Sequence, residues 1–105
     1  MKVLFDQGVP VPLRRHFAGT SVETVYERGW SRLTNGELID QAEQEEFDVF
    51  VTTDQKLRYQ QNLAGRSIAI VVLLSTSWPR IRQHIDDVVS AAAGVMPGDF
   101  VEIII

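Results

Sequence analysis

The sequence predicts a single-domain α/β fold spanning residues 1–105: a doubly wound, mainly parallel five-stranded sheet with helices on both faces. Three observations carry that prediction. Short β-branched runs alternate with segments of helical periodicity along the whole chain. The run Ile68 to Leu74 is continuously apolar, as in a strand covered on both sides. The length of 105 residues fits one compact domain and leaves little room for a second.

Taken in order, Val3 to Phe5 is a short apolar strand that runs into Asp6. Gln7, Gly8, Pro10 and Pro12 suit a helix entry, and Leu13 and Phe17 at i, i+4 predict a first helix over 11–17 that Gly19 stops. Ser21 to Tyr26 alternates and is rich in β-branched residues, which predicts the second strand. A loop with Gly29 and Trp30 leads to the clearest helix, over 34–46, with Leu38, Ile39 and Ala42 as its apolar stripe. Phe47 to Thr52 reads as the third strand and Leu57 to Leu63 as a short helical segment. The fourth strand covers 67–74. A last helix follows, with Ser75, Thr76 and Ser77 as candidate caps, Pro79 in its first turn, and Ile81, Ile85, Val88 and Val89 facing inward. Gly94 and Pro97-Gly98 end it, and Phe100 to Ile105 closes the chain as the fifth strand.

Composition narrows the function. The 45% hydrophobic and 23% charged content is that of a soluble globular domain. There is no cysteine, which removes disulfides, zinc thiolates and thiol chemistry and fits a reducing cytosol. MKVLF turns acidic at Asp6 and so lacks the apolar core of a signal peptide, and no apolar run approaches the ~20 residues of a membrane span. A cytoplasmic location is expected. The net charge of -4 argues against bulk attraction to nucleic acid. Basic residues nonetheless come in pairs: Arg14 with Arg15, Arg28 with Arg32, Lys56 with Arg58, and Arg80 with Arg82.

In an open parallel sheet, ligands collect beyond the carboxyl ends of the strands. Two strands here end on aspartate, Asp6 and Asp54, so central strands would bring both carboxylates to one edge. Carboxylates with no Cys or His nearby suit a hard cation, Mg2+ or Mn2+. Glu37 is a third candidate, although Thr34-Asn35-Gly36-Glu37 also spells a capping box, and Asp40 lies one turn further along nearly the same face. Asp6 and Asp54 fit turn or helix-cap roles as well. His16 and His84 have no partner at ligand spacing, Trp30 and Trp78 suit packing or base stacking, and Ser75, Thr76 and Ser77 have no visible base. No phosphate-binding glycine loop is present.

Three stretches together carry a resemblance: Phe5-Asp6-Gln7-Gly8-Val9-Pro10, Thr34-Asn35-Gly36-Glu37-Leu38 and Val51-Thr52-Thr53-Asp54-Gln55-Lys56-Leu57. In order and spacing they resemble the motifs of the PIN-like nuclease superfamily, specifically its small stand-alone members of toxin-antitoxin type, over roughly the first three-quarters of the chain. The resemblance implies a PIN-like fold and a metal-dependent ribonuclease in which Asp6, Glu37 and Asp54 hold one or two Mg2+ or Mn2+ ions. It further implies Thr52 or Thr53 orienting a carboxylate, Lys56 and Arg58 near the RNA substrate, and a cognate antitoxin protein as partner. Gln7 stands where those proteins carry an acid, and Lys56 where a second aspartate is common. Both changes remove negative charge. An ammonium 4 Å from a divalent cation is repelled on the order of 2 to 8 kcal/mol depending on screening, unless it serves a phosphate instead.

Two other functions fit the same residues. One is a degenerate PIN-like domain acting as a non-catalytic binding or dimerising module. The other is a receiver-like domain phosphorylated on Asp54, which needs a second acid after the first strand, where Gln7 stands. The apolar tail Phe100 to Ile105 requires cover from a helix or a second subunit, so a homodimer is expected.

Overall fold

The computed structural model describes residues 1–57 and 65–105. Its strands are β1 (Lys2–Phe5), β2 (Ser21–Thr24), β3 (Val49–Thr52), β4 (Ala69–Leu73) and β5 (Phe100–Ile103). Every pairing is parallel, in the order β2-β1-β3-β4-β5. The helices are a 3-10 helix (Val11–His16), α1 (Asn35–Gln44), α2 (Trp78–Ile81), a 3-10 turn (Arg82–His84) and α3 (Ile85–Gly94).

Period-two alternation sorts the strand residues between two cores. Val3, Phe5, Val49, Val51, Val71 and Leu73 face the first 3-10 helix and α3, where they meet Leu13, Phe17, Val88 and Ala92. Leu4, Phe50, Ile70 and Val72 face α1 and meet Leu38, Ile39 and Ala42. Helices therefore cover both faces, the arrangement of a doubly wound sheet. Both faces of the central strands being covered explains why they read as apolar runs.

Local chemistry sets the element ends where they differ from the sequence reading. The first helix is of the 3-10 type: Pro12 has no N–H to donate, and the Leu13 and Phe17 amides bond three residues back, to Pro10 and Arg14. The second strand stops at Thr24. There the Thr24 hydroxyl accepts from the Glu27 amide at 3.0 Å and the Glu27 carboxylate accepts from the Thr24 amide at 2.9 Å, folding the chain into a turn. This leaves Tyr26 outside the sheet and 77% exposed. Helix α1 ends early in a Schellman motif: Glu46 adopts φ 63°, its amide bonds the Glu43 carbonyl, and the Phe47 amide bonds the Ala42 carbonyl. The single last helix expected after Pro79 is divided, because His84 at φ -124° leaves the helical region and starts α3 anew. In the tail, Ile103 and Ile105 are buried within the chain and Ile104 is 80% exposed. The expected helical segment over 57–63, apart from Leu57, lies outside the described residues, as does Arg58.

Three glutamates titrate low because of fixed cations. Arg28 donates to both oxygens of Glu23 at 2.9 and 3.0 Å and holds its carboxyl below the ordinary 4.5. Arg14 does the same to Glu27, helped by the Thr24 amide. At Glu43 burial raises the pKa, but the Arg66 guanidinium and the Ser67 amide and hydroxyl outweigh it and the net shift is downward. The stability these carboxylates contribute is complete above about pH 4.5 and is lost as pH falls through their folded values. Urea midpoints should therefore fall on acidification below about pH 4.5, and Glu43→Gln should flatten that limb while lowering stability at neutral pH.

Candidate functional site

From β1 the chain moves to β2 on one side and then crosses to β3 on the other, so the order reverses between β1 and β3. The crevice beyond the carboxyl ends of these two strands is where an open α/β sheet binds ligands. Asp6 follows Phe5, the last residue of β1, and Asp54 stands two residues past Thr52, the last of β3. The backbone continues the ladder to this point, with the Asp6 amide bonded to the Val51 carbonyl at 2.9 Å.

Thr52 joins the two aspartates. It is the buried polar residue at the end of β3, with no exposed surface. Its hydroxyl donates to Asp6 Oδ2 at 2.8 Å and accepts from the Asp54 amide at 3.1 Å. Asp6 Oδ1 accepts from the Gln7 amide at 2.9 Å. Asp54 Oδ1 accepts from the Lys56 amide at 2.9 Å, and Asp54 Oδ2 accepts from the Asn35 side-chain amide at 2.8 Å. Each of the four carboxylate oxygens is thus aimed by one donor and keeps a further acceptor site.

The other expected residues take different places. Glu37 closes the capping box of α1: its carboxylate accepts from the Thr34 amide at 2.9 Å, and its own amide donates to the Thr34 hydroxyl at 3.3 Å. Asp40 pairs with Arg66, away from Asp6 and Asp54. The Lys56 side chain is exposed and makes no ion pair among the described residues. His84 pairs with Asp87 at 3.3 Å, and the His16 ring lies 6.1 Å from Trp78. Among the described residues no group of three or more His, Asp or Glu side chains could hold a metal ion. The helix contributes Asn35 to the site instead of an acid. Its position one residue past the cap of a helix that starts at the carboxyl edge is the signal for it, and residue type concealed it.

Thr53 touches the same edge from below. A Cβ on Gly8 would lie 2.1 Å from Thr53 Oγ1, so a larger residue there requires this hydroxyl to move. Gly8→Ala should cost about 1–3 kcal/mol by overpacking. The double variant Gly8→Ala/Thr53→Ala, which removes the clashing oxygen, should recover most of that loss in a urea unfolding cycle.

Comparison of the chain with family models, with curated proteins and with solved structures found no match.

Two carboxylates, a buried threonine and the Asn35 side-chain amide form an oxygen-rich crevice. Hard oxygen donors, pre-aimed by neighbouring N–H and O–H groups, fit Mg2+ or Mn2+, which is commonly held by one or two carboxylates with water completing the shell.

Proposed function

We propose that the chain is a PIN-like, metal-dependent ribonuclease in which Asp6 and Asp54 hold Mg2+ or Mn2+ and RNA is the substrate. The observation that supports this reading is the hydrogen-bonded unit Asp6–Thr52–Asp54 at the switch point of the sheet. When bound, the cation supplies Lewis-acid polarisation of a phosphoryl oxygen. The chain's own residues do the positioning. Thr52 fixes the Asp6 carboxylate, and Asn35 with the Lys56 amide fixes Asp54. The Lys56 ammonium stands in solvent, where its repulsion of a divalent cation falls to about 2 kcal/mol at 4 Å, and it is free to meet a phosphate of the RNA. Glu37 joins the acids only if its bond to the Thr34 amide opens.

Purified protein should cleave single-stranded RNA in Mg2+ or Mn2+ and stop on addition of EDTA. Folded protein inactive across both metals would overturn the reading. A non-catalytic binding module is favoured instead by the engagement of Glu37 in its helix cap, which leaves two acids at the crevice.

A further inference from the structure

A cavity of about 440 Å3 adjoins Asp6 on the β2 side, and Gln7, Val9, Val11, Arg14, Tyr26 and Glu27 are among the residues that line it. This volume lies in the range of small-molecule pockets. Its lining separates by chemistry. Val9 is buried, whereas Val11 and Tyr26 are exposed at 62% and 77%. The turn that ends β2 holds Tyr26 there, because the Arg28 amide bonds the Thr24 carbonyl and the Gly29 amide bonds the Tyr26 carbonyl.

Charge decides what the cavity takes. Among the described lining residues Arg14 is the one cation and gives both terminal nitrogens to Glu27, so none of them cancels the negative charge that Asp6 adds. A phosphate is disfavoured in such a place, while a neutral planar ring with an amino group is favoured. Gln7 supplies the reading edge. Its side-chain amide makes no hydrogen bond among the described residues, and it offers one donor and one acceptor side by side. That pair matches a ring nitrogen next to an exocyclic amine, the edge of adenine that glutamine reads in bidentate fashion. Tyr26 supplies the stacking face.

We infer that this cavity is an adenine-binding subsite, with Gln7 reading the amine edge and Tyr26 stacking on the ring. Its use to seat the base beside the cleaved phosphate rests on the ribonuclease reading, whereas binding of the base does not.

The test therefore uses nucleosides without metal, followed by amide NMR shifts of the full chain. Adenosine should shift Gln7, Val9, Val11, Thr24 and Tyr26. Purine riboside, which lacks the exocyclic amine and so can make only one of the two hydrogen bonds to Gln7, should bind about 10-fold or more weakly. Gln7→Leu should abolish the preference for adenosine over purine riboside. Tyr26→Ala, at an exposed position that leaves the core untouched, should weaken both nucleosides. Ribose 5-phosphate should leave these amides unmoved. Equal binding of adenosine and purine riboside, or shifts confined to other residues, or a response to ribose 5-phosphate alone, would overturn the assignment. Adenosine binding in a chain that never cleaves RNA would leave the subsite standing and remove the ribonuclease.

Discussion

Asp54→Asn should lower RNA cleavage by at least about 100-fold, and Asp6→Asn should do the same, with little change in the unfolding midpoint. Asparagine keeps an acceptor oxygen for the Asn35 side chain or the Lys56 amide that Asp54 now receives, so the local fold survives while the charge proposed to hold a cation is gone. Thr52→Val provides the contrast. It removes the hydroxyl that aims Asp6 and accepts from the Asp54 amide, without removing either carboxylate. Loss of such an outer partner typically costs 10- to 100-fold in metal affinity or activity, so Thr52→Val should fall between wild type and the two asparagine variants. It should also cost about 1–3 kcal/mol of stability by leaving the Asp54 amide unpaired. Full activity in Asp54→Asn would remove that aspartate from the chemistry. Initial rates at saturating Mg2+ give the comparison.

Phe5→Ala should be the most damaging core substitution, at about 3–5 kcal/mol by denaturant unfolding. Phe5 is fully buried and packs edge-on against Phe17 at 5.4 Å between ring centres. It also pairs with Thr24 of β2 on one side and Val51 of β3 on the other. A domain of this size has roughly 5–15 kcal/mol in total, so the loss is a large share of its stability. Because Phe5 immediately precedes Asp6, the cavity should loosen the carboxylate as well. A loss under about 1 kcal/mol would mean that the ring does not fill the space between the first 3-10 helix and the sheet.

Much of the architecture was legible because its signals are local. The apolar run Ile68 to Leu74 could only be a strand covered on both faces, and β4 is the interior strand between β3 and β5. The stripe Leu38, Ile39 and Ala42 identified α1, and the same three residues are its buried ones. Element ends were harder to place, since they depend on single hydrogen bonds. The Thr24–Glu27 turn that cuts β2 short is one case, and Glu46 in a left-handed conformation normally suited to glycine is another.

The site divided in the same way. Asp6 and Asp54 announced themselves by ending apolar strands, and the strand order places both at the switch point. What Glu37 does could not be read from its motif, because the capping box and an acidic ligand ask for the same residue at the same position. In the structure its carboxylate is bonded to the Thr34 amide. Asn35 escaped notice because an amide at a helix start has many ordinary uses, and its bond to Asp54 bridges 19 residues of sequence. The cavity beside Asp6 depends on how the turn after β2 presents Tyr26, a tertiary feature that periodicity does not encode.

The central claim is that Asp6 and Asp54 together hold a divalent cation, and calorimetric titration of Mn2+ into the metal-free chain tests it most directly. One Mn2+ per chain should bind with micromolar affinity in the wild type, and Asp6→Asn and Asp54→Asn should each abolish the heat. A wild-type chain that takes up no Mn2+, or an Asp54→Asn chain that binds it equally well, would contradict the account.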